Sequence, residues 1–305
     1  MELQLRSGSC SGAFFALPVE KKCARGILPR MVFLKSLIIS FSMFSAIPMP
    51  RVGWNERNMR YMLCAFPLVG AVIGIAAASW AAFVVFAQTV LLKNIGKEIA
   101  ALGFVLIPVI ITGKIHIDGF MDTCDAVGSR AERERKLEIM KDPHCGSFAV
   151  VSCALYFLAQ YALSCRIFGD VIDGGRKFEN QWQMLQHFFP LAPMFVSSRL
   201  LSAFAVSTFP IAKNSGLLRT FADASAKRFT AAWCGIWFAL HSLLSSIALG
   251  LPATAATAAQ IAVFVLYYFG SRHHFGGITG DTAGAFVQIS ELASLLAVAG
   301  AYIFF

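Results

Sequence analysis

Residues 62–92, MLCAFPLVGAVIGIAAASWAAFVVFAQTVLL, carry no charged side chain. About 20 apolar residues already reach across the hydrocarbon of a bilayer as a helix, so this run is long enough to cross with a tilt. Chain in lipid must satisfy its own backbone hydrogen bonds, and a single apolar run does so as a helix. Further apolar stretches at 31–48, 99–112, 147–168, 185–209, 229–250, 253–270 and 283–305 repeat the pattern. Two are unusual. The 99–112 run reads as a half-span, or as a helix continuing into the polar residues after it. The 31–48 run carries Lys35, ends in Pro48-Met49-Pro50, and reads as interfacial. The expectation is an all-α, polytopic integral membrane helical bundle of about seven spans, between roughly six and eight.

Composition agrees. Hydrophobic residues make up 57% of the 305 and charged residues 14%, against roughly 25% charged in soluble domains. The net charge of +9 sits in short loops: Arg51, Arg57 and Arg60; Lys114, Arg130, Arg133, Arg135, Lys136 and Lys141; Lys213, Arg219, Lys227 and Arg228; and Arg272. An even number of crossings separates these loops, so all four can face the cytoplasm, as the positive-inside rule requires. Loop 169–184 would be exported, its Arg176 and Lys177 offset by Asp170, Asp173 and Glu179. The basic excess therefore reads as a topology signal, with no nucleic acid as partner, and it also suits an anionic substrate. Eight cysteines form no C-x-x-C pair, and several behave as small hydrophobes inside apolar runs. Residues 1–30 lack both apolar periodicity and a signal-peptide core, since Ala13 to Val19 is short and broken by Pro18. They read as a disordered extension ahead of one membrane-embedded catalytic domain over 31–305.

Against this background His116-Ile117-Asp118-Gly119-Phe120-Met121-Asp122-Thr123-Cys124-Asp125 is out of place. At about 100° per residue, Asp118, Asp122 and Asp125 share one helix face within roughly 60°. Stacked like charges weaken a helix, so a cation is expected among them, and oxygen-only ligands point to Mg²⁺, with Mn²⁺ as the alternative. His116 suits a general base or a partner of Asp118. A charged helix over Ala131–Lys141 follows, and Glu138 and Asp142 share its face before Pro143 ends it. Carboxylates for a cation and Lys or Arg for phosphate thus lie within about thirty residues, which is what a metal-bound diphosphate needs.

Two other places stand out. Gly276-Gly277-Ile278-Thr279-Gly280-Asp281-Thr282-Ala283-Gly284-Ala285 opens the last span, where glycines before a helix let backbone N–H groups approach an anion. The competing account is a tight turn with close packing through small residues. Asp281 could cap that helix or reach a cation. Glu291, ten residues into an apolar span, and Arg199, in the run between Pro193 and Pro210, are costly in lipid. Intramembrane charges usually face a polar cavity. Lys213 is available to a phosphate.

These motifs, H-x-D-G-x-x-D-x-x-D at 116–125, Glu138 to Asp142 with Gly146-Ser147-Phe148, and G-G-x-T-G-D-x-x-G-A at 276–285 with Glu291, resemble the cobalamin synthase family of adenosylcobinamide-GDP ribazoletransferases. Phe66-Pro67-Leu68-Val69-Gly70 after Pro48 and Pro50 is similar to the family's beginning, and Arg199 with Pro210 to Gly216 to its middle. The resemblance runs from Met31 to the C-terminus. Ala126 stands where the family commonly has glycine, and His144-Cys145 replaces a commoner pair.

The resemblance implies transfer of α-ribazole, or its 5′-phosphate, onto adenosylcobinamide-GDP with release of GMP, using Mg²⁺, at the cytoplasmic face of a bacterial inner membrane. Asp118, Asp122 and Asp125 would hold the metal, with Asp142 supporting it. Lys141, Arg199 and Lys213 would meet phosphates, while Gly277, Thr279, Gly280, Asp281 and Glu291 would line the substrate site. His116 or a carboxylate would take the alcohol proton. A homo-oligomer is compatible with these features. Two rivals are weighed. The aspartate signature of CDP-alcohol phosphotransferases, D-x-x-D-G-x-x-A-R, is unmatched because Ala126 follows Asp125. A cation-coupled transporter is expected to show paired halves, and none is visible.

Overall fold

The computed structural model describes residues 24–92, 95–212 and 217–304. In chain order the helices are α1 (Ala24–Phe44), α2 (Glu56–Met59), α3 (Met62–Thr89), α4 (Lys97–Thr112), α5 (Ile115–Gly128), α6 (Arg133–Ile139) and α7 (Ser147–Ile172). There follow α8 (Gln181–Gln186), a 3₁₀ turn (Phe189–Leu191), α9 (Pro193–Thr208), α10 (Leu217–Ala224), α11 (Lys227–Phe275) and α12 (Gly280–Phe304). The chain is an all-α polytopic protein. Helix α1 begins ahead of Met31, inside the segment expected to be disordered. Residues 1–23 of that segment lie outside the described residues, as does Lys213.

Five helical stretches are long and apolar enough to cross a membrane: α3, α7, the stretch Gln181–Thr208 containing α8 and α9, α11 and α12. Helix α11 is two limbs, because Gly250 takes φ 68° and ψ −149° and Pro252 follows it. Glycine tolerates that backbone, and proline forbids continuing the ladder through it. Phe238 of the first limb and Phe264 and Tyr267 of the second pack on the same cluster around Leu201, Phe286 and Val287. The limbs therefore return past one another, as the separate 229–250 and 253–270 runs predict. Counting both limbs, and α4 with α5 as one bent pair, gives the expected seven spans.

The pair α4–α5 turns by 94°. Gly113 and Lys114 both adopt left-handed backbone, with φ 61° and 72°, so the helical ladder cannot pass through them. The Ala46 N–H donates to the Ile111 carbonyl at 2.8 Å, satisfying an acceptor freed at the end of α4. The acidic decad thus forms its own short helix, packed along α7 and α12.

Helix packing relies on small residues. A Cβ on Gly70 would lie 2.2 Å from the Phe195 carbonyl oxygen, and one on Gly74 would lie 2.9 Å from that of Ala192. This G-x-x-x-G pair lets α3 approach the backbone of α9. Outward faces are apolar, with Ile75, Ile247 and Leu266 exposed, whereas the interior holds Arg199, Glu291, Gln260 and Ser290. That inversion is what lipid requires.

The basic loops converge on one face. Ala226 N–H donates to Arg60 O, Ala212 N–H to Ile278 O, and Ser36 Oγ to Asn58 O, while Arg133 Nη2 reaches Arg272 O. Lys97 with Asp173, and Tyr302 with the His187 carbonyl, mark the opposite face.

Candidate active site

A cavity of about 380 Å³ opens among the basic loops. Its apolar side is formed by Met43, Phe44, Leu63, Phe66, Leu218 and Phe221, and its polar groups are His116, Asp118, Lys141, Ser202, Arg219, Thr279 and Asp281. An apolar wall with a few convergent polar groups is the usual form of a small-molecule site.

The two glycine motifs build this cavity by contact. A Cβ on Gly119 would lie 2.8 Å from the Asp281 carbonyl oxygen and 2.9 Å from its Cα, and one on Gly284 would lie 3.3 Å from the His116 carbonyl oxygen. Each motif's glycine thus admits the other's backbone, so the first turns of α5 and α12 lock together and Asp118 and Asp281 share one cavity. Thr279 and Thr282 cap α12 reciprocally: Thr282 N–H donates to Thr279 Oγ1 at 3.1 Å, and Thr279 N–H to Thr282 Oγ1 at 2.8 Å. This is the capping-box arrangement. The capping expected of Asp281 falls to Thr279, and Asp281 stays on the cavity wall.

The acidic face divides. Asp118 is exposed on the cavity wall, whereas Asp122 is half-buried and feels the charges of Asp118, Asp281 and Asp125. Asp125 lies against α7: a Cβ on Gly146 would meet its two carboxylate oxygens at 2.0 and 2.1 Å. Gly146 is the N-cap of α7, so Asp125 rests against a helix N-terminus, where a negative charge is favoured. Among the described residues no three His, Cys, Asp or Glu side chains form a ready metal centre.

The donor set nevertheless fits Mg²⁺. That ion usually takes one or two protein carboxylates and fills its remaining positions with water and substrate phosphates. Asp118 and Asp281, backed by Asp122, meet that demand.

His116 lies between aromatic rings, 6.3 Å from Phe44 and 5.7 Å from Phe66 by centroid. It is buried except where it meets the cavity, and its Nε2 has no hydrogen-bond partner. Thr279, Gly280 and Lys141 also line the cavity, as expected.

Several sequence expectations are corrected. Arg199 and Glu291 do not line the cavity: they pair with each other through Arg199 Nη1 and Glu291 Oε1, 0% and 1% exposed. Ser198 Oγ adds a hydrogen bond to the same carboxylate oxygen at 3.1 Å. Arg199 Nε and Nη2 stay buried without a partner. Two isolated intramembrane charges thus answer each other.

Gly277 lies off the cavity wall, pressed against the backbone of Pro210 to Ala212. There Ile278 N–H donates to Pro210 O at 2.8 Å and Ala212 N–H to Ile278 O at 3.0 Å. Its glycine serves close backbone approach.

Asp142 is not in the cavity either. Helix α6 ends at Ile139 rather than Lys141, and Glu138 pairs with Arg135 at 2.9 Å. Asp142 Oδ1 accepts from the His144 backbone N–H at 3.0 Å and contacts its Nδ1 at 2.7 Å. Those two bonds hold the Asp142 carboxyl below the usual carboxylate range.

Sequence reasoning missed Arg219 and Ser202. Arg219 Nε donates to Asp223 Oδ2 at 2.6 Å, and Lys227 Nζ donates to Oδ1 at 3.0 Å. The Lys227 and Arg219 bonds hold the Asp223 carboxyl below its usual range. The available signal was the i, i+4 spacing of Arg219 and Asp223 beside Leu218 and Phe221, an amphipathic turn rather than a plain charged loop.

The chain matches the family model described as cobalamin-5-phosphate synthase over residues 36–299. It is 36% identical over 268 residues to an adenosylcobinamide-GDP ribazoletransferase of Lachnoclostridium phytofermentans, covering 88% of this chain and 94% of that protein. A protein of the same description from Pseudomonas aeruginosa is 31% identical, with 92% and 99% covered, and one from Clostridium perfringens is 28% identical, with 87% and 97% covered. No solved structure matches. With most of its length matched by one family model, and with the two glycine-aspartate motifs meeting in one cavity, the chain belongs to the cobalamin-5-phosphate synthase family.

Proposed function

We propose that this protein is an adenosylcobinamide-GDP ribazoletransferase, joining α-ribazole or its 5′-phosphate to adenosylcobinamide-GDP with release of GMP. The observation that carries the reading is the shared cavity, which places Asp118 and Asp281 beside Lys141 and Arg219. A diphosphate requires that pairing of carboxylates for a cation and cations for phosphate.

In the reaction a ribose hydroxyl oxygen that is free in both α-ribazole and its 5′-phosphate, and so not the 5′-oxygen, forms a bond to the phosphorus carried by the cobinamide. The bridging P–O bond breaks, and GMP departs with its electron pair. Asp118, Asp122 and Asp281 would hold Mg²⁺, which when bound supplies positive charge to the phosphate oxygens. Lys141 adds charge from the wall. His116, its ring packed beside Phe44 and Phe66, would take the hydroxyl proton. The apolar wall keeps water from competing with the alcohol. Asp125 steadies the acidic helix against α7.

A cavity of about 380 Å³ takes only part of so large a substrate. The corrinoid lies outside it, along the membrane surface. The face carrying the basic loops is assigned to the cytoplasm of a bacterial inner membrane on the positive-inside rule.

Purified protein in detergent should release GMP from adenosylcobinamide-GDP only when α-ribazole and Mg²⁺ are both present. Absence of turnover, together with substrate-independent ion flux in liposomes, would overturn this reading in favour of a transporter.

A further inference from the structure

Arg219 is a cavity residue without an assigned task. Helix α10 presents Leu218, Arg219 and Phe221 to the cavity, and Asp223, one turn on, holds the Arg219 Nε at 2.6 Å. On an outer surface such an i, i+4 pair would need no further account, since solvent screens it. Here the pair is mounted in a cavity wall. A guanidinium has five donors in a flat fork. The Asp223 bond engages Nε–H, and the two-nitrogen edge is the geometric match for a phosphate.

The charge arrangement gives the fork its direction. Asp118 and Asp281 make the anionic part of the cavity, and Lys141 and Arg219 are its cations. Arg199, which the sequence offered for phosphate contact, is committed to Glu291. In the transfer, the P–O bond to the nucleotide breaks and its electron pair stays on the leaving phosphate. The alcohol proton goes to the base, and GMP gains one negative charge that it lacked in the diphosphate. A cation aimed at that phosphate interacts more strongly in the transition state than in the ground state, which is the condition for accelerating the step.

We propose that Arg219 binds the phosphate of the departing nucleotide, and that Asp223 holds the guanidinium in the wall before substrate arrives. This rests on the transferase reading given above.

The test is competitive binding of GMP and guanosine to the full-length protein in detergent, for wild type, Arg219→Ala, Arg219→Lys and Asp223→Asn. Wild type should prefer GMP. Arg219→Ala should lose about 10- to 100-fold of that preference, with guanosine binding unchanged, and Arg219→Lys should recover part of it. Asp223→Asn should lose part of the preference, less than Arg219→Ala, because the guanidinium stays present but is no longer held by the carboxylate.

Three results would overturn the proposal: no preference for GMP in wild type, an intact preference in Arg219→Ala, or an unchanged preference in Asp223→Asn. The last would remove Asp223 as the positioning partner. Turnover separates the two claims. A wild type that shows the Arg219-dependent preference but releases no GMP from the diphosphate with α-ribazole and Mg²⁺ supports the phosphate contact and rejects the transferase reading.

Discussion

Replacing Arg199 by Met should destabilise the protein rather than merely weaken substrate binding. Arg199 and Glu291 are 0% and 1% exposed, so Arg199→Met leaves a buried carboxylate with a hydrogen bond from Ser198 Oγ at 3.1 Å but no opposing charge. Removing one member of a buried pair costs about 3–5 kcal/mol. Met retains most of the stem that packs on Gly70, so little of this is lost packing. With Tm falling by roughly 2–4 °C per kcal/mol in a large domain, the expected shift is about 10 °C.

The double substitution Arg199→Met with Glu291→Met removes both charges. It should recover most of the loss, because apolar replacement of a whole buried pair is often neutral. Thermal unfolding in detergent, followed by tryptophan fluorescence for wild type, Arg199→Met, Glu291→Met and the double variant, measures the cycle. An Arg199→Met protein that melts with wild type but raises KM for the phosphate substrate would refute the pairing and return Arg199 to the phosphate role.

Gly119→Ala places a methyl group 2.8 Å from the Asp281 carbonyl oxygen. It should cost about 1–3 kcal/mol by overpacking and lower turnover by separating α5 from Asp281; wild-type melting and rate together would refute the contact. Asp142→Asn lies off the cavity and should change turnover by no more than about fivefold at neutral pH, the range of an exposed pair. Since His144 holds the Asp142 carboxyl below its usual range, its bonds contribute above the unfolded pKa and weaken as pH falls through the folded one. Protection of the His144 amide, which donates to Asp142, should therefore fall in acid relative to its intrinsic exchange rate, and a pH-independent protection ratio against Asp142→Asn would contradict this.

The apolar run at 62–92, the break between 250 and 253, and the shared face of Asp118 and Asp122 were legible because each depends on local spacing. Spacing also placed Gly119 and Gly284 beside aspartates, though only the fold shows that they admit each other's helix. Arg199 and Glu291 were legible as costly, but not as partners, because 92 positions separate them and no periodicity links two spans. Helix phase puts Asp125 with Asp118 and Asp122 but is silent on its neighbours: its carboxylate also lies against Gly146 at the start of α7. Asp142 was placed on a helix that stops at Ile139. Arg219 escaped notice because a positive loop residue is already explained by membrane topology, and only tertiary structure turns α10 toward the cavity.

The most direct measurement is GMP release by Asp118→Asn, assayed with saturating adenosylcobinamide-GDP, α-ribazole and Mg²⁺ beside its thermal unfolding. The carboxylate is exposed on the cavity wall, so the variant should unfold with wild type while turnover falls by about 100-fold or more. A folded Asp118→Asn protein that releases GMP at the wild-type rate would contradict the assignment of the chemistry to this cavity.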